Sequence, residues 1–150
     1  MNFDGAVFPE LGKAGLGVVV HDRQGNAIAS LSKQAPLSFS PVIVEAMATA
    51  RALTFAQELG INEFMMEGDS EAVINTVRST EDSLTTYGHL FESAKSTLVT
   101  SKCIAFTHIR RSGNRVAHNL VKHARHFRGL SVWVEDIPPH LYDVLFNDPG

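Results

Sequence analysis

The sequence is poor in the residues that build extracellular or metal-stapled scaffolds. Cys103 is its single cysteine, which excludes an intrachain disulfide and fits a reducing, intracellular compartment, cytoplasmic or nuclear. Seven histidines beside that one cysteine show no paired ligand spacing, which argues against a Cys/His zinc site. No apolar run approaches the ~20 residues that a membrane-spanning helix needs, and no membrane partner is expected. Met1-Asn2-Phe3-Asp4-Gly5 lacks the basic and apolar regions of a signal peptide. Repeats, low-complexity tracts and an internal linker are also missing, so one domain is expected over residues 1–130, with 131–150 as a tail docked on it. A monomer is the expected state. The formal net charge of -3 argues against a strong nonspecific nucleic-acid binder.

What is present is an ordinary globular chain. Its 150 residues are 44% hydrophobic and 19% charged, enough for one core. The charge is unevenly spread. Arg110, Arg111, Arg115, Lys122, Arg125 and Arg128 fall in one stretch without an Asp or Glu. That stretch reads either as a solvated helix face or as an edge that contacts phosphate.

The pattern predicts strands at Asn2 to Ala6, at Leu16 to His21 with the β-branched run Val18-Val19-Val20, and at Ala27 to Ser32. The turn signal Gln24-Gly25-Asn26 makes the last two a hairpin. A long helix follows, with Ser40 as N-cap, Pro41 in its first position and Gly60 at its end. Ile43, Met47, Ala50 and Leu53 recur on it at helical spacing. Glu63 to Glu67 reads as a buried strand that ends at Gly68-Asp69-Ser70. Ser70 is placed to cap a short helix through Arg78, and another helix is expected over Gly88 to Val99. Lys102 to Ile109 alternates as a strand, Arg110 to Gly113 is a loop, and Asn114 caps a last helix carrying Ala117, Leu120, Val121 and Ala124. The order βββαβααβα implies an α/β fold, with a mixed five-stranded sheet flanked by helices. In the tail, Trp133, Ile137, Leu141, Val144 and Leu145 carry enough apolar surface to dock.

Three acids occupy special points of this pattern: Asp4 on the first strand, Glu45 in the first turn of the long helix, and Asp69 at the end of the fourth strand. Strand ends and the adjacent helix starts are where α/β sheets collect ligands. If strands one and four are neighbours, Asp4 and Asp69 approach each other and Glu45 descends onto them. Acids that close must take up a proton or a cation. Oxygen-only ligands suit Mg²⁺ or Mn²⁺, and paired ions of that kind hydrolyse phosphodiesters. Three unrelated surface acids remain the alternative at this point.

The residues Asn2-Phe3-Asp4-Gly5-Ala6, Gly15-Leu16-Gly17-Val18-Val19, Glu45-Ala46, Glu67-Gly68-Asp69-Ser70, His108 and Asn114-Arg115-Val116-Ala117-His118 together resemble type 1 ribonuclease H domains. The likeness runs over nearly the whole chain, including Trp133 and Pro138-Pro139. It is greatest to the plant branch found at the ends of non-LTR retroelement reverse transcriptases. The resemblance implies a ribonuclease H-like fold and hydrolysis of the RNA strand of RNA–DNA hybrids at a two-ion Mg²⁺ or Mn²⁺ site. It makes Asp4, Glu45 and Asp69 metal ligands, and His108 a histidine beside the active site that serves turnover. Gly5 and Ala6 leave room for close backbone approach, a strand end or bulge being the plainer reading. Ser70, Arg110, Arg111 and Arg115 are candidate contacts to the nucleic acid.

Two features depart from the family. Its pattern has a fourth carboxylate where this chain has His118, which implies a weak second ion, lower activity with Mg²⁺ and a relative preference for Mn²⁺. Packing of His118 on the helix edge is the plainer alternative. Only three residues precede Asp4, so the first strand is expected to be short, and the chain is read as a piece of a longer protein or as one with an added Met1. No extended basic helix lies between Arg78 and Gly88, which implies modest affinity. A noncatalytic nucleic-acid-binding or protein-interaction module of the same fold, or a nuclease of other substrates, are the competing functions.

Overall fold

The computed structural model describes residues 1–36, 41–70 and 102–143. Within them lie β1 (Asn2–Phe8), β2 (Lys13–His21), β3 (Ala27–Pro36), α1 (Pro41–Glu58), β4 (Glu63–Gly68), β5 (Lys102–His108), α2 (Arg115–Ala124) and β6 (Leu130–Val134), with short 3₁₀ turns between. The predicted Ser40 cap, the helices expected through Arg78 and over Gly88 to Val99, and Val144 and Leu145 lie outside the described residues.

The strands form one mixed sheet in the order β5-β4-β1-β2-β3-β6. β1, β2 and β3 make the expected antiparallel meander, and β4 joins β1 in parallel, as does β5 to β4. Two expectations about the strands are corrected. β1 is seven residues long rather than short, because Val7 and Phe8 continue its pairing to Ala14 and Lys13. The sheet has six strands rather than five. Leu130–Val134 alternates in burial and adds antiparallel to β3, Leu31 facing Val132, so the segment read as the start of a tail belongs to the sheet. Gly129 supplies the left-handed turn into it, with φ 75°. Beyond β6, Ile137 and Leu141 are buried with Val19, Val116, Ala117 and Leu120.

Strand alternation sends side chains to two cores. Phe3, Leu16, Val18, Val20 and Leu31 pack with Val44, Ala48, Ala52, Leu53 and Phe55 of α1. Of the α1 residues predicted at helical spacing, Leu53 is fully buried in this core and Met47 and Ala50 pack half-buried against it, as Ile43 is half-buried, while Val44, Ala48, Ala52 and Phe55 complete the buried face. Small residues explain the choice: Ala48 and Ala52 let the helix lie close to the sheet. On the other face, α2 sits directly on β2. A Cβ built on Gly17 would lie 2.4 Å from the Ala117 carbonyl oxygen and 2.9 Å from Leu120 Cβ, so only glycine admits the helix there. Ser32 Oγ adds a bond to the Leu120 carbonyl at 2.7 Å.

Candidate active site

Asp4 lies inside β1, and alternation puts it on the face that α2 covers. The parallel register of β1 with β4 pairs Asn2 with Glu67 and Phe3 with Gly68. One further step brings Asp4 beside Asp69, just past the end of β4. Glu45 enters from the other layer, at the start of α1. Gly5 makes its approach possible: Val44 fills the space of the missing side chain, with its carbonyl oxygen 2.8 Å from a built Cβ. The Gly5 amide then donates to Glu45 Oε1 at 3.2 Å. Gly5 is thus accounted for by helix packing within a continuous strand, neither at a strand end nor in a bulge.

The outcome is a tight group of acids. One carboxylate oxygen from each of Asp4, Glu45 and Asp69 lies within 4.8 Å of the others, the sole such grouping among the described residues. Asp4 is 2% exposed and Glu45 8%, while Asp69 is half-buried. Glu45 Oε2 is buried without a hydrogen-bond donor. Burial first, then a proton shared with the Asp4 carboxyl and the neighbouring Asp4 and Asp69 charges, push the Glu45 carboxyl up to about 10. Asp69 is also raised, by burial and by Asp4, against the opposing pull of Arg111 and His118. Such a cluster is stable when it shares a proton or holds a cation. Its all-oxygen donor set and its orphaned buried oxygen fit a hard divalent ion such as Mg²⁺ or Mn²⁺.

The other predicted residues divide by distance from this group. His118, on α2, does more than pack on the helix edge: its side chain is partly exposed and its Nδ1 lies 2.9 Å from Asp4 Oδ2. Arg111 Nε is 3.7 Å from Asp69 Oδ2, and its side chain is largely exposed. His108 is exposed at the end of β5, in register with Gly68, and the next amide, Ile109 N, donates to the Gly68 carbonyl at 2.9 Å. Ser70 is half-buried after Asp69, and Ala6 is half-buried in β1 opposite Gly15. Arg110 and Arg115 are exposed, just before and at the start of α2.

Asn114 corrects a simpler expectation. It occupies the N-cap position of α2 but makes no side-chain cap bond. Its side chain turns inward instead. Nδ2 donates to the Phe3 carbonyl at 2.9 Å, and Oδ1 accepts from Asn2 Nδ2 at 3.1 Å. Asn2 Oδ1 continues the chain to His21 Nε2 at 2.8 Å. The bond to Phe3 fixes the start of α2 against the residue before Asp4, and so sets His118 over the acid. Sequence reasoning had no signal for this, because an asparagine before a helix already has a sufficient local explanation.

A mixed sheet with an antiparallel meander, parallel β4 and β5, and helices on both faces defines a ribonuclease H-like fold. The chain is similar to RNase H1 of the halophilic archaeon Halobacterium salinarum NRC-1, with TM-score 0.74 and 24% identity, covering 83% of this chain and 94% of that one. It is also similar to LC11-RNase H1, solved in complex with an RNA/DNA hybrid, with TM-score 0.70 and 26% identity over 82% and 93% of the two chains. A third likeness is to the N-terminal RNase H domain of a Mycobacterium tuberculosis protein, at TM-score 0.72 and 21% identity over 81% and 88%. Residues 2–124 match the reverse transcriptase-like family, and the chain belongs to it. No curated protein matches the sequence.

Proposed function

We propose that this chain is a divalent-metal-dependent endonuclease that hydrolyses the RNA strand of RNA–DNA hybrids. The observation that carries the proposal is the convergence of Asp4, Glu45 and Asp69, with an unpartnered oxygen of Glu45 buried among them. The family membership supports it, as does the similarity to a structure whose partner is a hybrid.

Asp4, Glu45 and Asp69 would hold the ion. When bound, Mg²⁺ or Mn²⁺ supplies activation of water and stabilisation of the leaving oxygen. The Gly5 amide orients Glu45 through Oε1, leaving Oε2 for the ion. His118 Nδ1 and Asp4 Oδ2, 2.9 Å apart, share a hydrogen bond that holds the imidazole against the acid. His118 stands at the position of the fourth acid, where it would hold a second ion only weakly and would favour Mn²⁺ over Mg²⁺. His108, exposed beside the site, is assigned to turnover. Arg110, Arg111 and Arg115, with Ser70 and Ala6, would meet a substrate read by its backbone rather than by its bases, while Gly5 serves the site through Glu45.

A noncatalytic binding module is favoured by one observation, the His118–Asp4 contact in place of a fourth carboxylate. One assay separates the readings: labelled RNA–DNA hybrid, double-stranded RNA and single-stranded RNA, each incubated in Mg²⁺ and in Mn²⁺, with Asp69→Asn as control. Metal-dependent cutting of the hybrid that is lost in the variant supports the nuclease. Binding without cutting supports the module. Cutting of another substrate alone overturns the hybrid assignment.

A further inference from the structure

All 16 acidic residues of the chain lie outside the stretch Arg110 to Arg128, which holds six of its 13 Lys and Arg. The fold turns this into a surface. On α2, Val116, Ala117, Leu120, Val121 and Ala124 are buried, whereas Arg115 and Lys122 are exposed. Seven residues apart, these two lie on one face, about 10 Å apart along the helix axis. His118, which touches Asp4, lies between them on the edge of the same face. Neither Arg115 nor Lys122 has an ion-pair partner among the described residues.

Local structure accounts for other members of the stretch and for Lys122 only in part. Arg125 pairs with Glu10 and covers the Phe8 ring. Asn119 bonds back to the Arg115 carbonyl at 2.8 Å. Lys122 complements the C-terminal end of the helix dipole. Arg115, in the first turn where a cation is disfavoured, does not.

We propose that this outer face of α2 is a phosphate track, on which Arg115 and Lys122 hold the backbone of the duplex flanking the acid cluster. The assignment rests on the nuclease reading and adds Lys122, and the line of the backbone, to it. At 3.4 Å per base pair, the two cations span about three steps of a duplex. The track reads charge and spacing. It is indifferent to base and to 2′-hydroxyl.

The test measures binding of a labelled 20-base-pair hybrid, and of duplex DNA of equal length, to the full chain carrying Asp69→Asn, over a series of salt concentrations. Arg115→Gln and Lys122→Gln are compared with Arg23→Gln, which removes one equal charge from the exposed β2–β3 turn. Each track variant is expected to lower the slope of log affinity against log salt by about 0.9, and the pair by about 1.8, alike for both duplexes. Arg23→Gln is expected to leave the slope unchanged. Equal effects from all three sites, no effect from Arg115 and Lys122, or a loss confined to the hybrid would each overturn the track. If the parent protein binds no hybrid even at low salt, the nuclease reading falls and the track with it. Binding that ignores the track variants removes the track alone.

Discussion

At the residue scale the site is a balance between one histidine and three acids. Asp4 is bonded to the His118 imidazole on α2, at the position where the resemblance would put a fourth negative charge. His118→Asp is therefore expected to raise hybrid cleavage in Mg²⁺ at least tenfold and to narrow the gap between Mg²⁺ and Mn²⁺. Equal rates for wild type and variant in Mg²⁺ would remove His118 from the site. Glu45 gives a second prediction, independent of turnover. Its folded-state carboxyl is raised from the ordinary 4.5 to about 10, mainly by burial. Between those values the unfolded chain has released a proton that the folded chain retains, so metal-free stability is full below the lower value and falls as pH rises toward the upper one. The limiting slope is about 1.4 kcal/mol per pH unit. Asp69, also raised, adds in the same direction. Urea denaturation in EDTA at pH 5.5 and 8.5 should show wild type losing stability while Glu45→Gln loses much less. Parallel losses in the two proteins would refute the assignment.

At the scale of the elements, close packing positions the chemistry. Gly17 lets α2 lie on β2, and α2 carries both Asn114 and His118 to β1. Gly17→Ala forces the helix outward and is expected to cost about 1–3 kcal/mol by denaturant unfolding, with a drop in cleavage that exceeds the fraction unfolded. An unchanged midpoint would show that the helix does not sit as described. Much of this arrangement was legible in the chain. The meander followed from β-branched runs and a glycine turn, and the places of the three acids followed from the first strand, the end of the fourth and a helix start. β6 was harder to read, because Leu130, Val132 and Val134 are exposed at the sheet edge, so their apolar character resembles that of a docked tail. On α1 the helical spacing found Leu53 in the core and missed Ala48 and Ala52, because small residues that let a helix lie close carry little apolar signal of their own. Asn114 was opaque because its inward bonds depend on a residue 111 positions away.

At the scale of the whole molecule, two opposite charge features meet at one place. A buried acidic cluster lies beside the basic stretch, although the chain as a whole is acidic. Among the described residues, no helix is long and apolar enough to cross a membrane. The cluster predicts that the folded state is linked to metal. At 100 times its dissociation constant, one bound ion stabilises the fold by about 2.7 kcal/mol, a rise in Tm of roughly 5–10 °C for a chain of this size. Thermal melts with and without Mn²⁺ should show that rise in wild type and not in Asp4→Asn. A rise of the same size in both would place the ion elsewhere.

The central claim is that these three carboxylates together make a site that cuts an RNA strand paired with DNA. Its most direct test is a single-turnover time course with excess protein, Mn²⁺ and a hybrid labelled on the RNA strand, for wild type and Asp4→Asn. The account predicts metal-dependent shortening of the labelled strand by wild type and a loss of at least a thousandfold in the variant. An intact strand with wild type, under conditions where the hybrid is shown to be bound, would contradict it.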